Sequence, residues 1–267
     1  MSERSGTWHH GLVARWWAEF NVAGEEELTY LRTVIARYGQ PVLDLGCGTG
    51  RILLPLVQSG LDVDGCDVSA DMLAHCRVAA ARANVAPHLY EQTGDALALP
   101  RSYRTIFICD SFGIVGGLEA LRRCYRHLAP GGALVFNVSL PCREDDRGHW
   151  LSEVSRALPE PWPEKSGRKR AANGEEIELR SRTIAFDALE QVSTREIEAR
   201  LWRDGREVGR EVHTLRQKAF FRNELLVILR HAGFRDVAVY GGYDERAASD
   251  DDLMLVVVAR KDTNGGM

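Results

Sequence analysis

The chain has 267 residues, 45% apolar and 27% charged, enough for one large α/β domain or for a domain carrying a sizeable insertion. A formal net charge of −4 gives no electrostatic pull toward a polyanion, so nucleic acid is not an expected partner. The six cysteines (Cys47, Cys66, Cys76, Cys109, Cys124, Cys142) form no CxxC pair and lack histidines at zinc-ligand spacing. They read as small buried thiols of a reducing cytoplasm, with no metal expected.

Leu12, Trp16 and Phe20 recur every four residues, with Val13 and Trp17 widening the stripe, which predicts a helix over about 11–20. A second helix is predicted over about 25–38, stopped by Gly39 with Pro41 just beyond. From Pro41 the chain alternates. A strand over 41–45 leads into a helix over 49–59, where Pro55 is acceptable only in the first turn or at a kink. A strand over 61–66 precedes a helix capped by Ser69 and running to about 83. Strands follow over 88–92 and 105–109, then a helix over 118–128 that Pro130-Gly131-Gly132 stops, and a strand over 133–138. Repeated β–α–β with short connections means a parallel sheet with helices on both faces.

After Ser139 the rhythm breaks. A polar stretch over 141–176 contains Pro161-Trp162-Pro163 and a basic cluster at 165–170 that reads as a solvated loop. Three runs of β character follow, over 176–187, 190–203 and 207–220; Asp204-Gly205 between two of them is a strong hairpin signal. These predict an antiparallel meander inserted into the α/β core. A helix over 223–232, closed by Gly233, and strands over 236–240 and 253–259 complete the chain. No apolar run approaches the ~18 residues of a membrane helix, and no basic-then-apolar leader opens the chain, so a soluble, cytoplasmic protein with no membrane partner is expected.

The run Val42-Leu43-Asp44-Leu45-Gly46-Cys47-Gly48-Thr49-Gly50-Arg51 carries the most information. Glycines in a strand-to-helix turn permit positive φ and let the backbone approach a ligand with no Cβ in the way. The helix start beyond them offers unpaired N–H groups. The spacing is not that of a dinucleotide fingerprint, because Arg51 stands where the third small residue belongs, and the Gly-Lys-Ser/Thr of a Walker A loop is absent.

Asp-Leu-Gly-Cys-Gly-Thr-Gly at 44–50 instead resembles motif I of the class I S-adenosylmethionine-dependent methyltransferases, of the type that acts on small molecules. The resemblance implies a Rossmann-like α/β fold: a seven-stranded, mainly parallel sheet whose last strand is antiparallel, with an inserted antiparallel β cap. Residues 41–139 and 220–260 would form the cofactor-binding core, residues 1–40 helices covering the site, and residues 140–219 the substrate cap. It also implies S-adenosylmethionine as cofactor, leaving as S-adenosylhomocysteine. Gly46, Cys47, Gly48 and Gly50 would accommodate its methionine part, and Asp44 its ammonium. Asp67, with Val68, would accept from the ribose hydroxyls, and Met72 would pack on the adenine. Asp95 would accept from the adenine amino group, with the Ala96 N–H turned to a ring nitrogen; Asp110, after the fourth strand, completes the set.

Methyl transfer from a sulfonium is an in-line displacement, so the protein mainly aligns the reactants and excludes water. No catalytic triad is therefore expected. Cys109-Asp110-Ser111-Phe112-Gly113 lacks the Asn/Asp-Pro-Pro-aromatic run of enzymes that methylate nucleobase or glutamine amines, which leaves a small molecule as acceptor, through O, N or C. The accessory elements point to a specialised metabolite. Candidate bases are His10, His149 and Tyr243; candidate substrate contacts are Trp16, Trp17, Phe112 and Tyr243. Buried aromatic core is the competing reading for the tryptophans. A monomer or homodimer is expected. A non-catalytic S-adenosylmethionine-binding protein and a nicotinamide-dependent oxidoreductase are the alternatives.

Overall fold

Strands whose two faces are both apolar organise the molecule. A computed structural model describes residues 9–140, 157–164 and 167–263. Two helices, α1 (Gly11–Phe20) and α2 (Glu25–Tyr38), precede β1 (Val42–Leu45), α3 (Leu53–Gln58), β2 (Val63–Asp67), α4 (Ala70–Arg82) and β3 (Leu89–Glu91). Next come β4 (Tyr103–Ile108), α5 (Phe112–Val115), α6 (Leu118–His127) and β5 (Leu128–Ser139). The described chain then runs through β6 (Arg168–Arg170), β7 (Glu176–Asp187), β8 (Val192–Arg203), β9 (Arg206–Lys218), α7 (Arg222–Ala232), β10 (Asp236–Tyr240) and β11 (Met254–Arg260).

Seven strands form one sheet in the order β10-β11-β5-β4-β1-β2-β3, and β6-β7-β8-β9 form a second. Neighbours from β5 through β3 pair in parallel, while β11 is antiparallel to both β5 and β10. Alternation along the strands divides the core in two. Leu43, Leu45, Ile106, Ile108 and Phe136 face one cluster with Phe220, Leu225 and Phe234; Val42, Phe107 and Val135 face the other, with Leu31, Val34, Leu53 and Leu73. A strand buried on both sides must be apolar at every position, which is why Asp44 in β1 stands out.

Several element bounds differ from the expectation, each for a local reason. The first crossover helix begins at Leu53 rather than 49, because Thr49–Ile52 remain in the glycine turn; Pro55 is thereby its third residue, where no intrahelical N–H is needed. The helix before β5 ends at His127, and the strand starts at Leu128 and runs through Pro130-Gly131-Gly132. Those residues bulge out between the pairs Tyr103↔Leu128 and Thr105↔Ala133, held by Arg104 on the Pro130 carbonyl (2.7 Å) and by Gly131 N–H on Lys261 O (3.0 Å). Part of the basic cluster, Arg168–Arg170, is an edge strand rather than a loop, with Arg168 stacked 3.4 Å over the Trp202 ring. The four-residue helix α5 has too short a pattern for periodicity to register.

The second sheet is a three-strand meander with β6 added. Its alternation places Ile197 and Ala199 of β8 and Leu215 of β9 against Val13 of α1, with Ile114 of α5 packed alongside. On the opposite face Glu198 is fully buried under Arg180, Arg200 and Arg210. Burial works against its ionisation, but Arg180 and Arg200 outweigh it and hold the carboxyl below its ordinary range. Helix α1 thus lies between the two sheets. Gly11 N–H donates to Asp71 of α4 (2.8 Å), and Leu12 N–H donates to Glu211 of β9 (2.8 Å).

Candidate functional site

The carboxyl ends of β1, β2 and β4 open into a cavity of about 570 Å³, within the ordinary range for a small-molecule site. Open α/β sheets bind ligands at this edge, where strand order reverses. Here β1 is flanked by β2 on one side and β4 on the other, the first reversal in the sheet order.

The glycine turn forms its floor. Gly46, Gly48 and Gly50 all have positive φ (+87°, +54° and +88°). A Cβ on Gly46 would stand 2.5 Å from Ser111 Oγ, so a side chain there is excluded. Four N–H groups of the turn itself are spent within the protein. Gly46 and Cys47 donate to Cys66 O, Gly48 to Asp67 Oδ2 (2.8 Å) and Gly50 to Cys47 O. A turn that spends these donors internally lacks the amide cradle that a pyrophosphate needs.

Asp67 closes β2 and accepts from the N–H of Gly48 and of Ser69 (2.8 Å each). Burial raises its carboxyl above the usual range, and these backbone hydrogen bonds oppose the rise. Ser69 caps α4 through the Met72 N–H (3.1 Å), as the sequence indicated, and its hydroxyl donates to the His9 carbonyl. That bond ties the start of α1 to the cavity rim. Asp44 lies behind the turn, 2% exposed. Burial pushes it up to about 8, helped by Asp67 and Glu27 and opposed by Arg51.

One network here has no sequence signal. Arg51 makes a paired contact with Glu27 of α2 and reaches Asp110 Oδ2 (2.5 Å). Asp110, at φ +55°, exchanges hydrogen bonds with Asn137 of β5: its N–H donates to Oδ1 (2.7 Å), and Nδ2 donates to its Oδ1 (2.6 Å). The residue that breaks the dinucleotide fingerprint therefore fastens α2 and the β4 end onto the glycine turn.

Of the residues singled out beforehand, Gly46, Cys47, Gly48, Asp67 and Val68 line the cavity, as do Met72, Asp95, Asp110 and Trp17. Others do not reach it. Gly50 packs inward, where a Cβ would meet Cys76 Sγ at 2.8 Å. The Ala96 N–H is turned back to Thr93 O (3.2 Å) in the short 3-10 turn Gly94–Ala96, so it is spent on the backbone. Phe112 is core, stacked on Phe136 at 4.0 Å. Tyr243 packs on Tyr30 with its hydroxyl on Glu27 (3.4 Å), on the α2 side of the sheet. Trp16 faces Phe20 and Lys169. His10, at the N-cap of α1, meets His213 edge-on (ring centroids 4.7 Å) and does not line the cavity. His149 falls outside the described residues. In place of His10 the wall contains His9, which burial and then the His10 charge push down to about 4. Ser111, Glu119 and Arg216 line it too, and nothing in their local sequence announced this.

Cys47, Cys66 and Cys109 also line the cavity. Burial pushes Cys66 up to about 12 and the other two well above their ordinary value, so all three are thiols at neutral pH rather than nucleophiles. No group of three or more His, Cys, Asp or Glu side chains among the described residues could hold a metal ion.

Residues 42–132 match the family model of a methyltransferase domain. A ubiquinone biosynthesis O-methyltransferase of Sodalis glossinidius is 29% identical over 136 residues, 47% of this chain and 55% of that one. A ubiquinone/menaquinone biosynthesis C-methyltransferase of Cereibacter sphaeroides is 37% identical over 105 residues, 37% of this chain and 42% of that one. The chain thus spans about half the length of the curated relatives it matches. An S-adenosylmethionine-dependent methyltransferase from Clostridium acetobutylicum superposes with a TM-score of 0.71 at 15% identity, over 93% of this chain and 97% of that one. S-adenosylmethionine is the cofactor of such methyltransferases, and the cavity has features that suit it: a glycine turn at positive φ whose Gly46 has no room for a side chain, an acid at the end of β2, and Ser111 Oγ, buried with no hydrogen-bond partner. Fold, glycine turn and matched segment agree: residues 42–132 are a methyltransferase domain, set in a fold shared with S-adenosylmethionine-dependent methyltransferases.

Proposed function

We propose that this protein transfers the methyl group of S-adenosylmethionine to O, N or C of a small-molecule acceptor, a specialised metabolite in the reading we favour. The observation that carries it is the cavity itself. Its floor and one side come from the motif I turn and the ends of β2 and β4; its remaining walls come from α1, the 92–95 segment, α5, the start of α6 and β9. A nucleic acid or a protein side chain would need a more open edge. The relatives named above methylate an oxygen and a carbon in quinone biosynthesis, so the family leaves the accepting atom open.

When bound, the cofactor supplies an electrophilic methyl carbon on a sulfonium, which departs as a neutral thioether. The chain's own residues then have four tasks. Gly46 and Gly48 leave space for the methionine part, with Asp44 buried and protonated behind the turn, where it would have to give up its proton to favour the ammonium. Asp67, already oriented by two N–H groups, accepts from the ribose hydroxyls. Met72 and Asp95 flank the adenine; the Asp95 carboxyl is turned by the Thr93 hydroxyl (2.5 Å). The fourth task is exclusion of water, and it falls to α1 and β9 on the side away from the glycine turn. His9 is the histidine of the described wall, but burial lowers it to about 4, which makes it a weak base near neutral pH.

Thermal unfolding with S-adenosylhomocysteine or with NADH, followed by isotopic methyl transfer onto a panel of hydroxyl and amine metabolites, tests this. S-adenosylhomocysteine should raise the melting temperature by mass action and NADH should not. A shift with NADH alone, or cofactor binding without labelled product from any acceptor class, would overturn the assignment.

A further inference from the structure

We infer that Arg216 forms an oxyanion subsite in the acceptor part of this cavity, so that the acceptor carries a phosphate or carboxylate group. The inference rests on the methyltransferase reading and adds the substrate's charge to it. Among the cavity's charged side chains the partners are otherwise accounted for. Arg51 is held by Glu27 and Asp110, and Asp67 by two N–H groups; Asp95 accepts from Thr93, and Glu119 pairs with Arg123 and Arg126. Arg216, on β9, stands at the solvent-exposed rim of the cavity and has no hydrogen bond or ion pair with any described residue, although Arg180, Arg182, Arg200 and Arg210 of the same sheet are all paired.

The placement of charge supports this. The acids of the wall come from the core, from strand ends, a loop and the first turn of α6, whereas the one residue contributed by the second sheet is a cation. Trp17, which lines the same cavity, brings an indole N–H that is buried with no acceptor. Guanidinium and indole are donors only, so what they lack is an acceptor group, and a guanidinium fork matches the paired oxygens of phosphate or carboxylate. Arg216 also borders a second hollow with Phe186, Val192 and Thr194, which gives an acceptor room to continue past the anionic group.

Calorimetric titration of the full chain, saturated with S-adenosylhomocysteine, with pyrophosphate, inorganic phosphate and succinate tests the subsite. Wild type should bind at least one of these anions in the millimolar range, and the stronger class tells phosphate from carboxylate. Arg216→Ala should weaken that binding at least tenfold, Arg216→Lys by only a few fold, and neither should change S-adenosylhomocysteine affinity. Anion binding that is equal in wild type and Arg216→Ala, or undetectable in wild type, overturns the subsite. Failure of S-adenosylhomocysteine to bind wild type would instead overturn the methyltransferase reading.

Discussion

Asp67 and Asp44 are both strand-end acids, yet their surroundings set them to different work. A carboxylate has about four lone-pair sites, and two backbone N–H groups leave Asp67 capacity for two ribose hydroxyls. Asp67→Ala should therefore weaken S-adenosylmethionine binding by about 1–3 kcal/mol, read by isothermal titration; unchanged affinity removes Asp67 from that role. Asp44 has its proton held by burial. With a folded value of about 8 against an ordinary 3.8, the native state binds a proton that the unfolded chain has released. Stability without ligand therefore falls as pH rises from about 4 to about 8, and levels off above that. Asp44→Asn removes this titration while keeping the shape. The melting temperature of the variant minus that of wild type should grow between pH 5 and pH 8.5, and parallel curves would refute the shift. Position after a strand made both acids legible in the sequence. Their partners were not legible, and neither was Arg51, whose guanidinium joins residues 24 positions before it and 59 after.

Helix α1 shows what periodicity can and cannot reveal. Its apolar stripe was readable, and Val13 and Trp17 do face inward. What the stripe faces was not readable, because the partners Ile197, Ala199 and Leu215 lie in a sheet formed nearly two hundred residues later. The anchors of its first turn are equally remote, 60 and 199 residues away in Asp71 and Glu211. Each satisfies an N–H that a helix start leaves open, in a place where the preceding residue, His10, provides no side-chain cap. Asp71→Ala and Glu211→Ala should each cost about 1 kcal/mol of local stability and speed amide hydrogen exchange over 11–20. The double variant should also bind S-adenosylhomocysteine less tightly, since His9 and Trp17 ride on this element. Unaltered exchange in the double variant would show that α1 is held by its apolar face alone. The glycine turn gives the complementary lesson. Three glycines at alternate positions look equivalent in sequence, but two open the cavity and Gly50 makes room for Cys76 and Leu54.

At the scale of the molecule, composition and alternation by themselves settled the architecture. Doubly apolar strands separated by helical segments can be buried only in a parallel sheet with helices on both faces, and the hairpin run at 176–218 can only pair with itself. The motif I spacing also marked the turn that floors the cavity, because a turn without Cβ atoms next to strand-end acids is a local property of consecutive residues. Tertiary structure alone decided the acceptor end. That wall is assembled from α1, α5 and β9, so which of His9 or His10, Trp16 or Trp17 reaches the cavity depends on one helix's rotation against a second sheet. Helical periodicity gives the angle between side chains but not the direction of the first one, and that direction comes from long-range packing.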